Sequence, residues 1–99
     1  MKTRQIKVSF FSDPGHGWLQ VPHSLILELG IQNKVSNSSY VTECYAYLEE
    51  DLDAGIFLQA AKAAGWQVKA TPRPQSESYS KIRDHHHFSL SLYAPMVAA

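Results

Sequence analysis

The chain has 99 residues, 44% of them hydrophobic, with nine Lys and Arg against nine Asp and Glu. That is enough apolar side chain for one modest core, which excludes intrinsic disorder, and the balanced charge excludes a chain that is basic or acidic as a whole. Cys44 is the single cysteine, so an internal disulfide and an all-cysteine metal site are excluded within one chain.

The first residues lack the apolar stretch and small-residue cleavage site of a signal peptide, and no run approaches the roughly 18 apolar residues of a membrane span. A cytoplasmic protein without membrane association is expected. Near-zero net charge weakens colloidal repulsion, which makes a homodimer a compatible state.

Ile6, Val8 and Phe10 alternate with Lys7 and Ser9, the period of a half-buried strand. Residues 12–17 hold a proline and two glycines and predict a turn. Residues 18–21 resume an extended apolar run, so a hairpin is expected. Residues 22–29 predict a short helix that starts on Pro22, where a missing N–H has no intrahelical partner, and presents Leu25, Ile26 and Leu29 on one face. Gly30 followed by Ile31 predicts a left-handed cap with a hydrophobic clasp.

Residues 32–39 are polar and turn-like. Residues 39–42 and 44–48 predict two further strands, joined near Thr42 and Glu43 without a glycine. The acidic run before residue 54 predicts a second helix over 54–64, with Asp51 or Asp53 capping its N–H groups and Ile56, Phe57, Ala60 and Ala64 lining one face. Gly65 followed by Trp66 repeats the ending of the first helix. Residues 66–70 alternate again. Residues 71–80 predict a loop, 80–88 are polar and histidine-rich, and 89–99 predict an edge strand or a tail that orders against a partner.

These elements predict an α+β two-layer sandwich, with an antiparallel sheet of about five strands in ββαββαβ order and two helices on one face. Residues 1–70 form the expected core domain, and 71–99 form a loop and a C-terminal tail or edge strand of the same domain.

Four groupings carry candidate chemistry. Asp13, His16 and Trp18 lie within one glycine-rich turn. A base–orienter pair, a binding surface and a purely structural hairpin all fit that spacing, since glycine on each side of His16 permits close backbone approach. No phosphate-loop spacing accompanies them, and Ser12 is the nearest nucleophile. Glu49, Glu50, Asp51 and Asp53 fit a capped helix start or an acidic patch for a basic partner. Their spacing does not match a calcium loop. His85, His86 and His87 alternate in direction on a strand, so two at most face one way, and a zinc site would need Cys44 or His16 to join them. Histidine also changes charge within the physiological pH range. Arg73, Lys81 and Arg83 interleave with Tyr79 and Phe88, a pattern that fits weak contact with single-stranded nucleic acid, although Glu77 and Asp84 dilute the charge.

Three blocks form a joint signature. They are Phe11-Ser12-Asp13-Pro14-Gly15-His16-Gly17-Trp18-Leu19-Gln20-Val21-Pro22, then Leu29-Gly30-Ile31, then Ala46-Tyr47-Leu48-Glu49-Glu50-Asp51-Leu52-Asp53-Ala54. Together they resemble a family of small, mostly uncharacterised proteins carried by bacterial phages, prophages and plasmids, with similarity over residues 6–65 and, more weakly, at Ser80-Lys81-Ile82-Arg83. The chain departs from that family in lacking glycine at Thr42-Glu43 and in its tail after Phe88. The family brings no agreed activity. Its mobile-element context implies a non-enzymatic interaction protein that binds a host protein or complex, with inhibition of a host defence system, as anti-CRISPR proteins do, as one form. The expected binding residues are Asp13, His16, Trp18, Glu49, Glu50, Asp51 and Arg83, with no catalytic residue, metal or cofactor. Nucleic acid is the disfavoured partner. Two alternatives stand beside this reading: a small ligand-binding domain or enzyme using Asp13 and His16, and a weak nucleic-acid binder through residues 73–88.

Overall fold

The computed structural model describes residues 4–73 and 77–89. Strand β1 (Gln5–Ser12) and β2 (Gly17–Pro22) form the first hairpin, and helix α1 (His23–Leu29) follows directly. Then come β3 (Tyr40–Val41), β4 (Tyr45–Glu49), helix α2 (Asp53–Ala63) and β5 (Gln67–Pro72). A 3-10 helix (Glu77–Asp84) and a short strand β6 (His86–His87) complete the described elements. No helix among the described residues is long and apolar enough to cross a membrane.

The fold is α+β, and its sheet departs from expectation in two ways. Six strands run in the order β5-β1-β2-β4-β3-β6, and β5 pairs with β1 in parallel. The reason is the helix between β4 and β5. Strand β4 runs antiparallel to β2, and β2 antiparallel to β1, so β4 and β1 point the same way. Helix α2 carries the chain back across the face, and β5 re-enters in the direction of β4. The sixth strand comes from the histidine run, which pairs with β3.

Register explains the burial pattern. Ile6 and Val8 of β1, Leu19 and Val21 of β2, Ala46 and Leu48 of β4 and Val41 of β3 share one face. They form the core with Leu25 and Ile26 of α1 and Ala54 and Phe57 of α2. Both helices therefore cover that face. On the opposite, open face, the Arg83 guanidinium of the 3-10 helix lies 5.4 Å from the Trp18 ring centre, and His85 stacks on Tyr47 at 5.8 Å.

The two helix endings match their glycines. Gly30 has φ 69°, and Gly65 has φ 82°, a region that side chains with a Cβ rarely enter. The Gly30 N–H donates to Leu27 O and the Ile31 N–H to Ile26 O; Gly65 and Trp66 donate likewise to Lys62 O and Ala61 O. This is the paired 5→2 and 6→1 closure that satisfies orphan carbonyls, and Ile31 is buried as its clasp.

The helix starts differ from expectation. Pro22 is the residue before α1 rather than its first turn, and it also ends β2. Leu52 precedes α2, so neither Asp51 nor Asp53 caps it by side chain. Asp53 is the first helical residue and is fully buried. Its carboxylate accepts from Ser36 N–H at 3.1 Å, Ser36 Oγ at 2.8 Å and Ser39 Oγ, because the loop before β3 brings those donors against the helix start. Strand β5 reaches Pro72 and a 3-10 helix starts at Glu77, so much of the stretch expected as a loop over 71–80 is regular. The edge strand or tail expected at 89–99 lies outside the described residues beyond Ser89.

Gly17 is held by sterics. A Cβ there would sit 2.4 Å from the Phe10 Cζ. Because the Phe10 ring is partly exposed and can yield, Gly17→Ala is expected to cost about 1 kcal/mol, the low end for overpacking. The measurement is a lowered urea midpoint at unchanged m-value. Gly15→Ala is the control, since its Cβ would meet nothing closer than 3.5 Å. A Gly17→Ala midpoint equal to that of Gly15→Ala would refute the steric role.

Candidate functional site: a cleft on the open face of the sheet

Two cross-strand rows build the site. Gln20, Tyr47, Tyr40 and His87 stand opposite one another across β2, β4, β3 and β6. In the next row Trp18 stands opposite Glu49. The loop before β3 adds Asn37 and Ser38, the hairpin tip adds His16, and the 3-10 helix adds Arg83. Together His16, Trp18, Asn37, Ser38, Tyr40, Glu49, Arg83 and His87 line a cleft of about 640 Å³.

The hairpin tip is organised from beneath by Asp13, which is buried. Its Oδ1 accepts from Gly15 N–H at 2.9 Å and His16 N–H at 2.8 Å, while its own N–H donates to His16 O at 2.9 Å. This is the Asx geometry that a short carboxylate supplies to a turn. Arg83 Nη2 donates to Oδ1 at 3.2 Å and lies 3.0 Å from Oδ2. The same guanidinium lies over Trp18, an arrangement that couples an ion pair to a cation–π contact. Trp18 is only 2% exposed as a result of its place between strand neighbours and Arg83.

The imidazole of His16 lies against Glu49 and Trp18. Its Nδ1 is 3.9 Å from Glu49 Oε1, and its ring stacks on Trp18 at 6.1 Å. Asp13 thus reaches His16 through the backbone, which is not the geometry of a base–orienter pair. Glu49 Oε2 accepts from Asp51 N–H at 2.9 Å. On the other wall, Tyr40 and His87 pack at 4.7 Å between ring centres, and His87 Nδ1 lies 2.6 Å from Asn37 O.

Of the residues expected to bind, His16, Trp18, Glu49 and Arg83 come together in this cleft, and Asp13 supports it from beneath. Glu50 and Asp51 are exposed on the adjoining β4–α2 turn and do not line it. The basic and aromatic run at 73–88 is dispersed. Arg73 donates to Ser9 Oγ at 3.1 Å, and Phe88 is buried in the main core. Lys81 is exposed, and the side chain of Tyr79 lies outside the described residues. No motif points to Tyr40, Asn37 or Ser38, and His87 stands out only as part of the histidine run. The alternation of the histidine run is the one available signal, and it places His85 and His87 against open-face tyrosines. Among the described residues no group of three or more His, Cys, Asp and Glu is arranged to hold a metal ion.

Compared with protein-family models, curated proteins and solved structures, the chain matches none of them.

Proposed function

We propose that the chain is a small non-catalytic interaction protein of a mobile element, acting in the host cytoplasm through the β4–α2 turn and the neighbouring hairpin tip. The observation that carries this reading is how the turn is held. Glu50 N–H donates to Gly17 O at 3.0 Å, which ties the turn to the hairpin. Asp51 N–H is held by the Glu49 carboxylate at 2.9 Å, and Leu52 N–H donates to Glu49 O. On this fixed backbone Glu50 and Asp51 are exposed, and Leu52 is 49% exposed. A pre-organised loop pays little ordering cost on association. Two carboxylates beside an exposed leucine fit a basic surface with an apolar dimple. Basic surfaces are the footprint of proteins that handle nucleic acid, a class that includes host defence complexes. Inhibition of such a complex, in the manner of an anti-CRISPR protein, is the form of the proposal, and a second copy of the chain is the competing occupant.

The double variant Glu50→Lys/Asp51→Lys tests it. In cells carrying an active CRISPR system, the wild-type protein is expected to raise survival of a targeted plasmid. The variant is expected to lose about ten-fold or more of that protection, since about 1.4 kcal/mol of binding corresponds to ten-fold in affinity. Its melting point should stay close to wild type, because exposed charges contribute little to folding. Unchanged interference with the wild-type protein, together with self-association as the only interaction in sedimentation, would remove the proposal.

A further inference from the structure

The cleft itself has a chemistry distinct from the acidic turn, and a ligand there does not depend on the proposed protein contact. Its volume of about 640 Å³ lies within the range of roughly 300–1,000 Å³ typical of small-molecule sites. One wall carries the ring pair of half-buried Tyr40 with exposed His87, and on the other side His16 stacks over the buried Trp18. Flat walls of this kind take a planar ring by stacking.

The polar groups are unequally committed. Glu49, the acid of the cleft, is engaged by Asp51 N–H and faces His16. Arg83 uses only Nη2 on Asp13. A guanidinium has five N–H donors, so most of its capacity has no protein partner among the described residues. A carbonyl oxygen only accepts, so His87 Nδ1 carries the proton in its bond to Asn37 O. In the neutral ring Nε2 is then an acceptor. The cleft therefore offers a cationic donor fork, an imidazole acceptor and aromatic walls.

We propose that this cleft binds a nucleoside monophosphate. Arg83 engages the phosphate, which a planar fork recognises through paired N–H donors. The base stacks against the Tyr40–His87 pair, and His87 Nε2 accepts from an exocyclic amino group. The shared chemistry admits two sources, a free nucleotide or the phosphorylated 5′ end of a single strand.

The test uses Trp18 fluorescence in a Trp66→Phe background, where Trp18 is the remaining indole. Adenosine monophosphate, adenosine and inorganic phosphate are titrated separately. The expected result is saturable binding of the nucleotide, about ten-fold or more tighter than either fragment, because each fragment keeps only one set of contacts. Arg83→Lys keeps the charge at Asp13 but loses the fork, and His87→Ala removes the acceptor and one ring. Each is expected to weaken nucleotide binding about ten-fold or more at a retained thermal transition. If His87→Ala does not fold, Arg83→Lys decides alone. Absence of saturation with the nucleotide, adenosine or phosphate binding as tightly as the nucleotide, or full affinity in Arg83→Lys would overturn the proposal. A 5′-phosphorylated tetranucleotide that binds more tightly than the monophosphate assigns the site to a strand end, and equal or weaker binding assigns it to the free nucleotide.

Discussion

Replacing Asp53 by Ala is expected to cost about 3 kcal/mol of stability, because three donors lose a buried carboxylate at about 1 kcal/mol each. For a domain of this size that lowers the melting point by roughly 12–24 °C. The carboxylate is fully buried at the first residue of α2, where negative charge also complements the helix dipole. It holds Ser36 N–H, Ser36 Oγ and Ser39 Oγ. Ser39 Oγ in turn accepts from Glu49 N–H at 3.0 Å. One carboxylate thus joins the loop before β3, the end of β4 and the start of α2. Asp53→Asn should fall between wild type and Asp53→Ala, since the amide keeps one acceptor but turns an N–H₂ toward other donors. Ser39→Ala should be non-additive with Asp53→Ala, as expected for members of one network. Thermal unfolding by circular dichroism of wild type, the three single variants and the Ser39→Ala/Asp53→Ala double variant measures these effects. A melt of Asp53→Ala within a few degrees of wild type would show that the loop holds without its carboxylate.

Asp13→Ala is expected to cost about 2 kcal/mol, chiefly by leaving the Gly15 and His16 N–H groups without their acceptor. The ion-pair share is smaller, because Arg83 has a side chain 41% exposed and regains water when released. Asp13→Asn separates the two contributions. It keeps Oδ1 for the backbone and weakens only the tie to Arg83, so it should lose less than half as much. Arg83 is also the lid on Trp18. Both variants should therefore shift Trp18 emission to the red, and only Asp13→Ala should speed hydrogen exchange at Gly15 and His16. Equal exchange in the two variants would place the effect on the ion pair instead.

Features governed by near neighbours were legible in the sequence. The glycine endings at Gly30 and Gly65, the hairpin at residues 6–21 and both helices follow from short-range geometry, and each is present. The parallel placement of β5 was not legible, because hairpin logic applies only where strands adjoin in sequence, and Gln5 pairs with Gln67. Asp53 shows the same limit. A capping rule looks three residues ahead, whereas its partners lie 14 and 17 residues behind. The cleft was half legible. His16, Trp18 and Glu49 carry recognisable residue chemistry, but Tyr40 and His87 meet only through the β3–β6 pairing. Trp18 reads differently once Arg83, far along the chain, is in place over its ring. The tip contributes His16 to the surface, while its tryptophan belongs to the floor.

The parallel pairing of β1 with β5 has a consequence for how the chain acquires its structure. Until residues 67–72 are present, β1 is the outermost strand, with a bare row of backbone donors and acceptors along a segment containing Ile6, Val8 and Phe10. Such rows template pairing between chains. Contacts of this sequence separation also form slowly, since a long loop must close before they are gained. Strand β5 thus closes the outer edge of a strand whose alternate side chains are apolar. A nascent or nicked chain that stops short of residue 67 would present a sticky strand where the finished protein presents Lys69 and a closing Pro72.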